Sequence, residues 1–311
     1  MLAALLISAQ CALLNPSCAR ANDELIAWGD LTYQLPLPAQ QTERNSVIQI
    51  AAGSFHSLAL MGNGSVSAWG DDTFGQTSIP SQVSRKRASA VAAGNVHNLA
   101  LFRDGTVIAW GPAPGQVGDF GQTDVPANLC NVAAIGAGAF HSLALKTDGS
   151  IVAWGANTFG QCDVPNNLRH VVAVTGGAHH SVALRENGTV VAWGDDTWGQ
   201  TDVPAGLRNV IAIAACGYHS LALKCDGTVV SWGTYGLAQF NVPPGLKHVV
   251  AIATGDYHSL ALLRDGTLVT WGFDTAGQTV VPSGLNNPLA IAAHGSHNMV
   301  LVRAPINNRR F

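Results

Sequence analysis

Charge is the scarcest ingredient of this chain. Of 311 residues, 16 are Lys or Arg and 19 are Asp or Glu, a charged fraction of 11% with a net charge of -3. Binding nucleic acid through its phosphates needs clustered Lys and Arg. The one dense basic run, Arg85-Lys86-Arg87, lies in a linker and reads as a solvated loop, so no nucleic-acid partner is expected. Low charge does not mean disorder here, because 47% of the residues are apolar, enough for a large core.

Long apolar runs are equally scarce. The longest, Leu2 to Leu14, has 13 residues, short of the roughly 20 that a membrane helix needs. It is followed by Asn15-Pro16-Ser17 and then Ala19-Arg20-Ala21, an A-x-A cleavage pattern. Residues 1–21 therefore read as a signal peptide cleaved near Ala21, although no Lys or Arg follows Met1, which points to a translation start further upstream. The expectation is no membrane span and a mature chain that is secreted, periplasmic or at the cell surface.

Cysteine is sparse. Cys11 and Cys18 leave with the signal, while Cys130, Cys162, Cys216 and Cys225 fall at different positions of the repeat described below. They form neither a disulfide framework nor a metal-ligand spacing and read as small-residue substitutions buried as thiols. Also missing are a nucleophile motif, a metal-spaced His and carboxylate cluster, and a phosphate-cradling loop. The expectation is no catalytic residue, no metal and no cofactor.

What the chain does contain is a repeat. Trp-Gly pairs begin at Trp28, Trp69, Trp110, Trp154, Trp193, Trp232 and Trp271, and His-Ser-Leu-Ala-Leu or a close variant begins at His56, His97, His141, His180, His219, His258 and His297. The last four histidine intervals are 39 residues each, and six histidines precede the next tryptophan by 13. Each unit reads as a small antiparallel sheet. An apolar run such as Val210–Ala215 is suited to a strand buried on both faces. The His219–Lys224 strand follows, then an Asp226-Gly227 hairpin and the Thr228–Trp232 strand. No sustained 3.6-residue periodicity follows the signal, so helical solenoids are excluded.

Units of about 40 residues with several strands point to propeller blades. Six units are complete. The leading half "DELIAWG" (Asp23–Gly29) and the trailing half around His297 complement each other at a hairpin turn, so both termini build a seventh blade. The expected fold is all-β, a seven-bladed β-propeller of three- to four-stranded blades over residues 22–305, closed by the terminal half-repeats and followed by a tail, 306–311.

The segment "HSLALKTDGSIVAWGANTFGQCDVP" resembles the repeat of the regulator of chromosome condensation superfamily. The short unit with its Gly-Gln-Thr-x-Val-Pro ending is more similar to the bacterial branch typified by β-lactamase inhibitory protein type II. The resemblance covers residues 22–305 and implies a propeller that binds proteins through loops on one face.

The repeated histidines cannot share one ion around a ring, so they read as framework, each packing and bonding to backbone at a strand entrance. The Trp-Gly tryptophans read as blade-to-blade packing. Trp198 stands outside that series in a polar loop and suits a binding anchor. The turn between the first two strands of a blade and the loop after its third emerge on one face. Aromatics gather in both places: Phe55, Phe140, Tyr218 and Tyr257 in the turns, Phe74, Phe159, Trp198, Tyr235 and Phe273 in the loops. Asp71, Asp72, Asp195, Asp196 and Asp274 interleave with them. The expectation is an aromatic and acidic binding face on a monomer, with an extracellular or envelope protein as partner. A glycan-binding or glycan-cleaving propeller using the loop carboxylates is the alternative. The loop after Trp110 carries five extra residues, an insertion at 112–118 that lengthens this face. His179 and His294 break the pattern and could each reach a partner. Asn63-Gly64-Ser65 and Asn187-Gly188-Thr189 match the glycosylation pattern but fall where a hairpin needs Asn-Gly anyway.

Overall fold

The computed structural model describes residues 23–32, 46–233 and 241–303. Residues 1–21, read above as a leader, the 306–311 tail and Tyr235 lie outside them. The described residues form seven separate three-stranded antiparallel sheets, at the lower end of the expected strand count. Blade 1 is β2 (Val47–Ala52), β3 (His56–Met61) and β4 (Val66–Gly70). Blade 2 is β5 (Ala88–Ala93), β6 (Asn98–Phe102) and β7 (Val107–Trp110); blade 3 is β8 (Val132–Ala137), β9 (His141–Lys146) and β10 (Ile151–Gly155). Blade 4 is β11 (Val171–Gly176), β12 (His180–Arg185) and β13 (Val190–Gly194); blade 5 is β14 (Val210–Cys216), β15 (His219–Lys224) and β16 (Val229–Trp232). Blade 6 is β17 (Val249–Thr254), β18 (His258–Leu263) and β19 (Leu268–Gly272). Blade 7 is the expected composite: β20 (Pro288–His294) and β21 (His297–Val302) from the C-terminal end, completed by β1 (Glu24–Gly29), with Trp28 opposite Asn298. Among the described residues there is one helix, the five-residue Ser81–Arg85 between blades 1 and 2, and no helix long and apolar enough to cross a membrane.

The core is divided among the blade interfaces. Seven hydrophobic clusters each join neighbouring blades; one places Leu143 and Leu145 of blade 3 against Val171, Val174 and Trp193 of blade 4. Every Trp-Gly tryptophan is buried in such a cluster. The indole Nε1 of Trp154 and of Trp193 donates to the Gln122 and Gln161 carbonyls of the preceding blades, at 2.9 and 3.0 Å. A large apolar ring fills the wedge between two sheets while its polar edge finds a fixed acceptor.

The repeated histidines are framework, but their bonds run to side chains of the next blade rather than to backbone as expected. Nε2 of His141 lies 2.9 Å from Ser181 Oγ, and His180 and His219 reach Ser220 and Ser259 at the same distance. His97 reaches Ser142 at 3.0 Å, while His56 and His258 reach Asn98 and Asn298 at 2.7 and 2.6 Å. Ser142 and Ser181 donate onward to the Gln122 and Gln161 carbonyls, so each hydroxyl accepts from its histidine and passes the bond on. The imidazoles are therefore neutral with the proton on Nε2. Burial pushes their pKa values down to about 3 or 4. The other side of the ring packs on a glycine: a Cβ at Gly53, Gly94, Gly138, Gly177 or Gly255 would collide with the imidazole three residues later.

Among the described residues, Cys130, Cys162, Cys216 and Cys225 are free thiols. The expectation that all four are buried fails for Cys130 and Cys225, which sit exposed in the connection before β8 and in the hairpin after β15, and Cys162 is partly covered. Cys216 is buried.

Candidate functional site

Blades 1, 3, 4 and 6 each tie their two same-side loops together through the backbone. The N–H of Asp71 donates to the Phe55 carbonyl at 2.8 Å, that of Ala156 to Phe140 at 2.9 Å, that of Asp195 to His179 at 2.9 Å and that of Phe273 to Tyr257 at 2.8 Å. The turn before the histidine and the loop after the tryptophan thus form one surface. The Asp-Gly and Asn-Gly hairpins lie at the other end, where Asn63 and Asn187 accept the backbone N–H of Ser65 and Thr189.

A Gly-Gln pair shapes the loops after Trp69, Trp154 and Trp193. Gln76, Gln161 and Gln200 are buried, and their Oε1 atoms accept the backbone N–H of Phe74, Phe159 and Trp198 at 2.8, 2.9 and 2.8 Å. A side chain turned inward fixes the aromatic two residues earlier at the rim. The glycine between takes positive φ, +75°, +75° and +73° at Gly75, Gly160 and Gly199, a region costly for any side chain with a Cβ.

At this rim Phe55, Phe159, Trp198 and Tyr257 are exposed, with Phe74, Phe140 and Tyr218 half-buried. The rings meet across blades. Phe159 of blade 3 packs at a tilt against His179 of blade 4, centroids 4.6 Å apart, and His179 meets Tyr218 of blade 5 at 6.0 Å. Tyr257 meets Phe273 edge-on at 5.9 Å within blade 6. Burial holds the His179 imidazole below its usual range against the opposing pull of Asp195, so its ring is uncharged at neutral pH. One member escaped the sequence reading: Phe120, 54% exposed at the end of the blade 2 insertion, meets Phe140 in a tilted contact at 5.0 Å. Its signal was present, since Phe120-Gly121-Gln122 repeats Phe74-Gly75-Gln76. The insertion is folded on itself: Gly115 N–H donates to Asp119 Oδ2 at 2.7 Å and Gln122 Nε2 donates to the Gly118 carbonyl. It raises Val117 to 84% exposure.

The aspartates serve the loops. Asp71 Oδ1 accepts Thr73 N–H at 3.2 Å and Oδ2 accepts Gln76 Nε2 at 2.8 Å. Asp195, which is buried, repeats this with Thr197 at 3.0 Å and Gln200 at 2.9 Å. Asp72 takes Thr77 and Ser78, Asp196 takes Thr201, and Asp274 takes Thr279. These carboxylates hold the loops that present the aromatics; Asp72, Asp196 and Asp274 remain exposed.

The Regulator of chromosome condensation (RCC1) repeat family matches residues 47–76, 132–161, 171–200 and 249–278. Prp20p from Saccharomyces cerevisiae is 19% identical, with a TM-score of 0.77 over 94% of both chains. Yeast RCC1 (Prp20), in a structure bound to Kap60, is 21% identical, with a TM-score of 0.76 over 94% of this chain and 92% of that one. The ectodomain of the Physcomitrella patens receptor kinase CR4 is 19% identical, with a TM-score of 0.66 over 85% of this chain and 73% of that one. No curated protein sequence matches. Four of the repeats match the RCC1 repeat model, and the seven three-stranded blades share the fold of the yeast propellers.

Proposed function

We propose that this chain is a non-catalytic propeller that binds an exported protein through its aromatic rim. The observation that carries the reading is the arc of rings from Phe120 and Phe140 through Phe159, His179 and Tyr218 to Tyr257, with Trp198 exposed beside it. Large rigid rings lose little conformational entropy on binding and supply most of the energy at protein interfaces. Support comes also from the fold: RCC1-type propellers are protein-binding scaffolds, and the yeast relatives were characterised with Gsp1p, histones and Kap60. The leader-like segment at residues 1–21 supports a partner in the envelope or outside the cell. The test is capture from native extracellular and envelope extracts, beside a variant with Trp198, Tyr218 and Tyr257 changed to Ala. A protein held by the unmodified chain and lost by the variant supports the reading. The same material on both, or none on either, contradicts it.

A further inference from the structure

Three residues depart from the repeat at the end of the inner strands, and all three are metal-binding types. Three residues before the framework histidine, five blades carry glycine: Gly53, Gly94, Gly138, Gly177 and Gly255. The two exceptions are Cys216 in blade 5 and His294 in blade 7. Their strands run one residue further than the other first strands, and the glycine moves to the next position, where Gly217 and Gly295 take φ of +50° and +51°. Blade 6, between them, keeps Gly255 but follows it with Asp256, where the other blades have Ser54, Asn95, Ala139, Ala178, Gly217 and Gly295.

Ring geometry brings these exceptions together. Cys216 Sγ lies 3.1 Å from Asp256 Oδ1 and donates to it, and His294 Nδ1 lies 3.9 Å from the same oxygen. The three donor atoms all fall within 4.8 Å of one another. Ser54 Oγ of blade 1, at the position equivalent to Asp256, is 3.4 Å from His294 Nδ1, and Gly295 N–H donates to that nitrogen at 2.8 Å. The Nδ1 lone pair accepts this N–H, so a metal ion bound there would displace the Gly295 bond. Cys216 and His294 are buried while Asp256 is partly exposed, so the cluster has two fixed walls and one open side. That side faces the aromatic rim, because Asp256 adjoins Tyr257 in the same turn.

We propose that Cys216, Asp256 and His294 form a binding site for a borderline divalent transition ion, zinc in the first instance. Ligands around tetrahedral zinc stand about 3.3–3.6 Å from one another, so small side-chain rotations suffice. The mixed sulfur, nitrogen and oxygen set suits zinc and disfavours calcium and magnesium, which require oxygen ligands. Binding replaces the thiol proton: the Cys216 S–H bond breaks, a sulfur–metal bond forms and one proton leaves to solvent. Three protein ligands leave the fourth position open toward the rim. The site stands independently of the partner assigned above.

The experiment uses the full chain stripped with a chelator, titrated with Co²⁺ and then Zn²⁺. The proposal expects tetrahedral cobalt bands with a sulfur-to-cobalt charge-transfer band, all displaced by Zn²⁺. The band persists in C130S/C162S/C225S and disappears in C216S, an isosteric change. Asp256→Asn, at a partly exposed position, keeps the melting temperature but weakens Co²⁺ binding about tenfold or more. Zn²⁺ raises the melting temperature of the unmodified chain and not that of D256N. No charge-transfer band, a band surviving C216S, or equal Zn²⁺ stabilisation of both chains overturns the proposal.

Discussion

Nε2 of His297 lies 3.3 Å from Oγ of Ser57, a pair separated by 240 positions in the chain. This contact joins blade 7 to blade 1 and completes a circuit of seven histidine links. The other six join consecutive blades between neighbouring repeats. Met299 and Leu301 of blade 7 pack in one cluster with Val47, Ile50 and Trp69 of blade 1, so the seam is sealed by apolar burial as well.

Removing residues 296–311 takes away β21, the middle strand of blade 7, and leaves β1 and β20 without a partner. Exposed sheet edges pair with other chains. The truncated protein is expected to unfold or oligomerise in size-exclusion and melting experiments; an unchanged monomer with the same melting temperature would contradict closure. The milder His297→Ala removes the Ser57 contact and a buried imidazole from the seam and should cost about 1 kcal/mol or more, read by denaturant titration.

The two tryptophans of blade 4 and its loop should separate fold from function. Trp193→Ala empties a buried interface and removes the bond to Gln161, so a loss of about 3–5 kcal/mol is expected. Trp198→Ala changes a 42% exposed ring, and its effect on stability should stay within about 0.5 kcal/mol. Chemical unfolding of both variants checks the contrast.

Acid should weaken the ring before the carboxylates titrate. Burial lowers the folded pKa of His97, His141, His180, His219 and His297 to about 3, below the unfolded value of 6.5. The unfolded chain then binds more protons, so this contribution is fully present above pH 6.5 and is lost as pH falls toward the folded values. Denaturant midpoints should drop steeply between pH 7 and pH 5. A flat profile over that interval would show that the histidines are not buried neutral.

Gly138→Ala places a Cβ against the His141 ring and the Gly177 carbonyl. It should destabilise by more than about 1 kcal/mol, although Gly138 is not at a positive-φ position. Melting curves decide; an unaffected protein would mean that the imidazole is free to move.

The ring was legible because it is local and repeated. Period, hairpin dipeptides and the complementary halves around Trp28 and His297 follow from spacing along one chain. The histidine link was half legible: His-Ser recurs in sequence, but its partner sits a blade away and emerges only when the sheets are placed side by side. The aspartates have a structural role that spacing does not reveal. Asp71 and Asp195 stand in polar loops, as binding carboxylates would, yet they turn back onto Gln76 and Gln200. Cys216, Asp256 and His294 look like scattered departures until curvature converges them, since adjacent ligands are about 40 positions apart.

The assignment of the rim is tested most directly by oxidative footprinting of the chain with its captured partner. The account predicts protection of Trp198, Tyr257, Phe159 and Phe120, with the hairpins at Asp104, Asp148 and Asp226 unchanged. Protection confined to those hairpins, with the rim still reactive, would contradict it.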